Sequence, residues 1–172
     1  MEKPVVVLIA PCILDARFQA EVPAGSVHWG VPFIKLLQAK GVETLLLPCT
    51  ETGFCGIPRK KHNVDYYQTL EGYPEYCEKQ AQDAIQRILS LCNEGKNVIA
   101  CLGVERSPSC AVSYMRTYQR GTFKRVGIFF EQLFVGLDES GIKLERIGIN
   151  RTYPQKALKR LETVLSQWES KC

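Results

Sequence analysis

The stretch "PVVVLIAPC", residues 4–12, decides the fold class of this chain. It is an aliphatic, mostly β-branched run without alternating polar positions, which is typical of a strand buried on both faces of a parallel sheet. Such a strand needs helices on both sides of the sheet. The rest of the chain should therefore alternate helices with further strands.

The sequence beyond that stretch has this alternation. Apolar runs predict further strands in "VETLLLPC", "NVIACLG" and "KLERIGI", at residues 42–49, 97–103 and 143–149. Helical patterns cover residues 27–41, 75–94, about 126–139 and 153–168, whereas residues 50–74 are expected to be a long irregular segment. The prediction is an α/β fold of three layers, a Rossmann-like, mainly parallel sheet with helices on both faces, in one domain spanning residues 1–172.

Composition limits the class of protein. A chain of 172 residues that is 45% hydrophobic can bury one sizeable core but is short for two. Its 22 basic residues are interleaved with 18 acidic ones, so nucleic-acid binding is not indicated. No apolar run approaches the roughly 20 residues of a membrane span, and the first residues enter a strand directly. We expect a cytoplasmic protein without a membrane partner, and a homodimer is compatible with the sequence.

Eight cysteines are many for a cytosolic protein, in which cysteine usually means core packing, a metal or catalysis. Cys77 and Cys92 recur at helical spacing with apolar residues, and Cys101 lies inside an apolar strand, so we expect these three in the core. Cys172 ends the chain and is expected to be exposed. The cysteines that remain for a site are Cys12, Cys49, Cys55 and Cys110.

Three of those cysteines, Cys12, Cys49 and Cys110, follow three successive predicted strands. The carboxyl ends of parallel strands lie along one edge of a sheet, where ligands bind, so we expect the three thiols to share a site. Convergent thiols in a reducing compartment indicate a soft metal or an iron-sulfur cluster. A structural zinc site would need a fourth ligand, for which Cys55 or His62 could serve. A thiol-redox role without metal also stays open.

The third of these strands is followed by an unusual loop, "GVERSPSC", residues 103–110. Proline removes a backbone donor, and both serines can bond locally to the backbone, so the segment is predicted to be a shaped loop. Glu105 and Arg106 are expected to form an ion pair that braces it, because a buried guanidinium needs a carboxylate partner.

Four short motifs of this chain together resemble the 2-thiouracil desulfurase family. They are "APCIL", "LPCTE", "ERSPSC" and "GTF". Family members read like Ala-Cys-Leu-Leu, Pro-Val-Cys-Pro-Glu, Glu-Arg-Ser-Pro-Ser-Cys-Gly and Asp-Gly-Thr-Phe at those places. The resemblance covers about residues 4–123, and "ERSPSC" is its most specific element.

The resemblance implies an enzyme that desulfurates a small thiolated heterocycle such as 2-thiouracil. Its cofactor would be a 4Fe-4S cluster with three cysteine ligands and one open iron that accepts the substrate sulfur without net electron transfer. Carried over by motif, the ligands would be Cys12, Cys49 and Cys110. Glu51 would be the general base or proton shuttle, and Ser107 or Ser109 would contact the substrate.

The chain departs from the family pattern in three places. "ARFQAE" stands where members commonly have Cys-Arg-Tyr-Asp-Gly, and Ala111 replaces the glycine after the third cysteine. The segment after "PCTE" matches a Gly-Gly-Leu-Pro-Thr-Pro-Arg stretch only at Gly56, Pro58 and Arg59. The cluster ligands are untouched, but the identity of the thio-compound stays open.

Overall fold

The fold is described from a computed structural model, which covers residues 3–21 and 28–170. The strands are β1 Val5–Ile9, β2 Glu43–Leu46, β3 Asn97–Val104, β4 Tyr114–Thr117, β5 Gly121–Lys124 and β6 Glu145–Ile149. The helices are α1 Pro11–Leu14, α2 Val31–Ala39, α3 Thr50–Cys55, α4 Val64–Thr69, α5 Tyr73–Asn93, α6 Ile128–Glu139 and α7 Gln155–Glu169. A 3-10 turn spans Ala16–Phe18.

A parallel sheet of four strands, in the order β2-β1-β3-β6, forms the centre of the molecule. Strand β1 lies inside it, with Leu8 paired to Leu45 of β2 on one side and to Cys101 of β3 on the other. The β-branched run is buried on both faces, as the lack of polar alternation predicted. A separate antiparallel hairpin joins β4 to β5.

Two apolar cores lie on opposite faces of the sheet. Val6 and Leu8 pack with α5 and α6 on one face, and Val7 and Ile9 pack with α2 and α7 on the other. The three-layer, Rossmann-like α/β fold is therefore confirmed. Cys77 and Cys101 are fully buried and Cys92 packs against the first core, in agreement with their prediction as core residues.

Some elements differ from the sequence prediction. Residues 50–74 are not irregular throughout, because α3 and α4 form there, and Tyr67 of α4 is buried against Tyr73 at the start of α5. The hairpin β4-β5 was not predicted. Helix α2 begins at Val31, with Pro32 in its first turn, where a missing backbone N–H is tolerated. Gly30, which precedes it, lies so close to the carbonyl oxygen of Ile13 that a Cβ would overlap it. The predicted start at residue 27 and the predicted exposure of Cys172 lie outside the described residues.

Within the described ranges, 3–21 and 28–170, we find no helix with the length and apolarity needed to cross a membrane.

Candidate functional site

The strand order brings the three strand-end cysteines to one edge of the sheet. The chain leaves β1 on one side to form β2 and returns on the other side to form β3, so a crevice opens at the carboxyl end of β1. Cys12 lies in α1, Cys49 immediately precedes α3, and Cys110 lies in the loop between β3 and β4. All three line one pocket of about 90 Å³.

The thiols interact within that pocket. The side-chain hydrogen bond between Cys12 and Cys110 raises the pKa of Cys12 and lowers the pKa of Cys110. Cys49 donates to Thr52 Oγ1 at 3.2 Å, and burial raises the pKa of Cys49. The pocket therefore presents three partly buried sulfur donors from three separate segments.

The Cys110 loop, residues 105–113, is held by backbone hydrogen bonds to β3 and to α6. Val104 N–H donates to the Cys110 carbonyl at 3.1 Å, and Gly103 faces that carbonyl so closely that a Cβ would overlap it. The first turn of α6 donates N–H groups to the carbonyls of Pro108 and Ser109, at 2.9 and 3.0 Å. These bonds satisfy helix-terminal donors and fix the position of Cys110 at the same time.

Glu105 stabilises the loop in a different way from the one predicted. Its Oε2 accepts the backbone N–H groups of Val112, Ser113 and Tyr114 at 3.1–3.3 Å, and its Oε1 accepts Ser113 Oγ at 2.6 Å. The predicted ion pair with Arg106 is wrong: among the described residues Arg106 joins no ion pair, and its φ of 69° is in the left-handed region. The carboxylate is instead saturated by amides of the chain entering the hairpin.

The predicted catalytic residues Glu51, Ser107 and Ser109 meet in the pocket. Glu51 Oε1 accepts hydrogen bonds from Ser107 Oγ at 3.1 Å and from Ser109 Oγ at 2.8 Å. Ser107 Oγ accepts the Cys110 N–H at 3.2 Å and lies 3.3 Å from Cys110 Sγ. A continuous chain of hydrogen bonds thus runs from the Glu51 carboxylate to the Cys110 thiol.

Arg59 is a member of the site that the sequence did not single out for a role. Its Nη1 lies 2.8 Å from Glu51 Oε2, and its Nη2 donates to the carbonyl of Phe18 at 3.0 Å. Because a buried carboxylate needs a cation, the basic cluster "PRKK" eight residues after Glu51 was the signal available in the sequence.

The two alternative fourth ligands for zinc lie in different places. Cys55 is exposed at the end of α3 and does not line the pocket, whereas His62 does line it and stacks on Tyr66 with ring centroids 3.7 Å apart. No group of three or more His, Cys, Asp or Glu side chains in residues 3–21 and 28–170 is arranged to hold a single metal ion.

The donor set fits an iron-sulfur cluster by its chemistry. Three thiols from three segments are the ligands that such clusters take, and each thiol can bind a different iron. Ser107 Oγ and the backbone amide beside Cys110 are the kind of hydrogen-bonding groups that tune thiolate ligands.

Comparison with known proteins adds one solved structure. No model of a known protein family matches the sequence, and no curated protein matches it either. A solved structure that it matches is a 4Fe-4S-dependent thiouracil desulfidase, TudS, with a TM-score of 0.55, 18% identity, and coverage of 96% of this chain and 99% of that chain. At this identity the match shows a shared fold over nearly the whole chain.

Proposed function

We propose that this chain is an iron-sulfur enzyme that removes sulfur from a small thiocarbonyl heterocycle of the 2-thiouracil type. The observation that carries the proposal is the meeting of Cys12, Cys49 and Cys110 in one pocket with the Glu51 carboxylate and two serine hydroxyls. The thiouracil desulfidase of the same fold supports it. The motif "ERSPSC", which forms one wall of the pocket, supports it independently.

Cys12, Cys49 and Cys110 would hold a 4Fe-4S cluster. When bound, the cluster would supply a Lewis-acidic iron without a protein ligand, suited to a soft thiocarbonyl sulfur. The Cys110 loop would keep its ligand in place through the backbone bonds to β3 and α6.

The polar side chains would handle protons and orient the heterocycle. Glu51 would accept a proton from the attacking water at Oε1, the oxygen that faces the two serines. Ser107 and Ser109 would exchange their hydrogen bonds with Glu51 for bonds to ring nitrogen or oxygen atoms. The apolar walls around Phe18 and Phe130 would limit the water that reaches the reacting carbon.

The test begins with anaerobic purification and reconstitution, followed by absorption and paramagnetic resonance spectra and by iron and sulfide analysis. We expect about four irons per chain. Cys12→Ser, Cys49→Ser and Cys110→Ser should each lose the cluster, whereas Cys55→Ser is the matched control because Cys55 is exposed and outside the pocket lining.

Activity is then measured as sulfide released from 2-thiouracil by the reconstituted chain. Wild type should turn over, and Glu51→Ala should lose turnover while keeping its cluster. A colourless or zinc-loaded product after reconstitution would contradict the cluster, and a cluster that never releases sulfide from thiouracil would contradict the reaction.

A further inference from the structure

We propose that Arg59 is the positioning residue of this site, which fixes the orientation of the Glu51 carboxylate so that one oxygen faces the serines and the substrate space. The inference rests on the proposed function for its catalytic consequence. The contacts of Arg59 and Glu51 that support the inference involve only side chains and backbone of this chain.

The two oxygens of Glu51 have separate partners. Oε2 is occupied by Arg59 Nη1 at 2.8 Å, and Oε1 receives the hydroxyls of Ser107 and Ser109. A carboxylate rotates readily about its last torsion, which is broad for a terminal sp³–sp² bond. The guanidinium removes that freedom, because turning Glu51 would break the ion pair and both serine bonds together.

Arg59 is itself held in place from a second direction. Its Nη2 donates to the Phe18 carbonyl at 3.0 Å, and its side chain is only 9% exposed. Its Nε–H has no hydrogen-bond partner among residues 3–21 and 28–170, so the ion pair and the Phe18 carbonyl determine its orientation.

The Arg59–Glu51 pair also connects the three segments that carry the cysteines. Phe18 follows Cys12 in the chain, Glu51 follows Cys49, and the serines precede Cys110. One guanidinium and one carboxylate therefore bind all three segments into a single polar network. A change at Arg59 should move the general base relative to the sulfur ligands.

The test compares Arg59→Met, Arg59→Lys and Arg59→Ala in the reconstituted enzyme, with Arg160→Met as the control. Arg160 forms an ion pair with Glu145, 2.7 Å apart, at the start of β6 and thus at the opposite edge of the sheet. We expect Arg59→Met to lower kcat about 10- to 100-fold, the usual effect of removing a residue that orients a ligand or base, with little change in KM.

Two rescue measurements separate positioning from folding. Arg59→Lys should retain part of kcat, because an ammonium keeps the charge but lacks the planar fork of the guanidinium. Guanidinium ions added to Arg59→Ala should restore part of kcat, since they can enter the space that the side chain leaves in the pocket wall. Restoration by guanidinium would not follow from a purely structural role in the fold.

A crystal structure of metal-free Arg59→Met gives a readout without activity. We expect Glu51 Oε1 to leave hydrogen-bonding distance of at least one serine. Any of three results would overturn the proposal: both serine bonds persist, the cluster content of Arg59→Met falls in proportion to kcat, or kcat stays at the wild-type value.

A wild-type enzyme that binds a cluster but releases no sulfide would overturn only the proposed function, and the crystal structure would still decide the role of Arg59. If Arg59→Met does not fold, the crystal structure of Arg59→Met/Glu51→Gln, which removes both charges, replaces it. Loss of a serine contact of residue 51 would support the proposal, and serine contacts that stay as in wild type would overturn it.

Discussion

Glu51 and Arg59 form an ion pair of 2.8 Å with side chains that are only 7% and 9% exposed, although seven residues separate them along the chain. Because both charges are buried away from water, each needs the other as its counter-charge. Losing one leaves the other buried without a counter-charge, which costs more than losing both.

The first prediction concerns the stability of that pair. Glu51→Gln should lower the free energy of unfolding by about 3 kcal/mol, because the Arg59 guanidinium is left buried and unpaired. Glu51→Gln/Arg59→Met should be more stable than Glu51→Gln alone. Urea unfolding of the metal-free chains measures both values, and a double variant that is less stable than the single variant would refute the dependence.

Gly103→Ala should displace Cys110 without altering any polar group of the site. The new methyl group would overlap the Cys110 carbonyl and the Phe130 ring, so the Cys110 loop must shift. We expect less cluster per chain after reconstitution. Gly136→Ala is the control, because its added methyl group would meet only the flexible end of Ile85. Equal cluster content in both variants would contradict the prediction.

Glu105→Ala should loosen the entry to the hairpin. The amides of Val112, Ser113 and Tyr114 would lose their shared acceptor, and each unsatisfied amide costs on the order of 1 kcal/mol or more. We expect these three amides to exchange hydrogen at least about 10-fold faster. Exchange measured by nuclear magnetic resonance tests this, with the exposed Glu162→Ala on α7 as the reference variant.

Two buried tyrosines predict the behaviour of the chain in alkali. Burial raises the pKa of Tyr67 and of Tyr73, so the folded chain keeps both phenols protonated while the unfolded chain ionises them near pH 10. Their contribution to stability is therefore complete below about pH 10 and falls as the pH rises further, because the unfolded state then binds fewer protons.

Phenylalanine variants separate the two tyrosines. Tyr73→Phe should cost about 1 kcal/mol at neutral pH, because Tyr73 shares a buried hydrogen bond of 3.0 Å with Thr50. Tyr67→Phe should be nearly neutral, since its hydroxyl has no hydrogen-bond partner in the part of the chain that the structure describes. Each variant should show a shallower loss of stability between about pH 10 and pH 11 than wild type. Urea unfolding at several pH values provides the measurement, and identical slopes in all three proteins would contradict it.

The sequence sufficed for the sheet and for the position of the cysteines. An unbroken apolar run such as Val5–Ile9 has few structural alternatives, and a parallel sheet fixes which ends of its strands lie together. The order β2-β1-β3 then makes Cys12, Cys49 and Cys110 neighbours without any local spacing motif.

The contacts of the charged residues could not be predicted in the same way. Arg59 reaches Glu51 only because α3 and the chain after it fold back over the pocket, which depends on packing of Tyr67 in α4 against Tyr73 at the start of α5. Glu105 looked like a partner for its neighbour Arg106, but its oxygens lie beside amides that approach only once the hairpin forms. A side chain close in sequence competes with distant backbone N–H groups for the same carboxylate, and a single sequence does not reveal which of them binds it.

The strand order has a consequence for biosynthesis. Strand β3 must lie beside β1 before Cys110 reaches Cys12 and Cys49. Because Cys110 is residue 110 of 172, an amino-terminal fragment that ends before residue 110 could not carry all three cysteines. The group that we propose for these three sulfurs would therefore bind only after residue 110 has been synthesised and β3 has joined the sheet. Binding of that group would then follow assembly of the sheet, and separation of β3 from β1 would break its site apart.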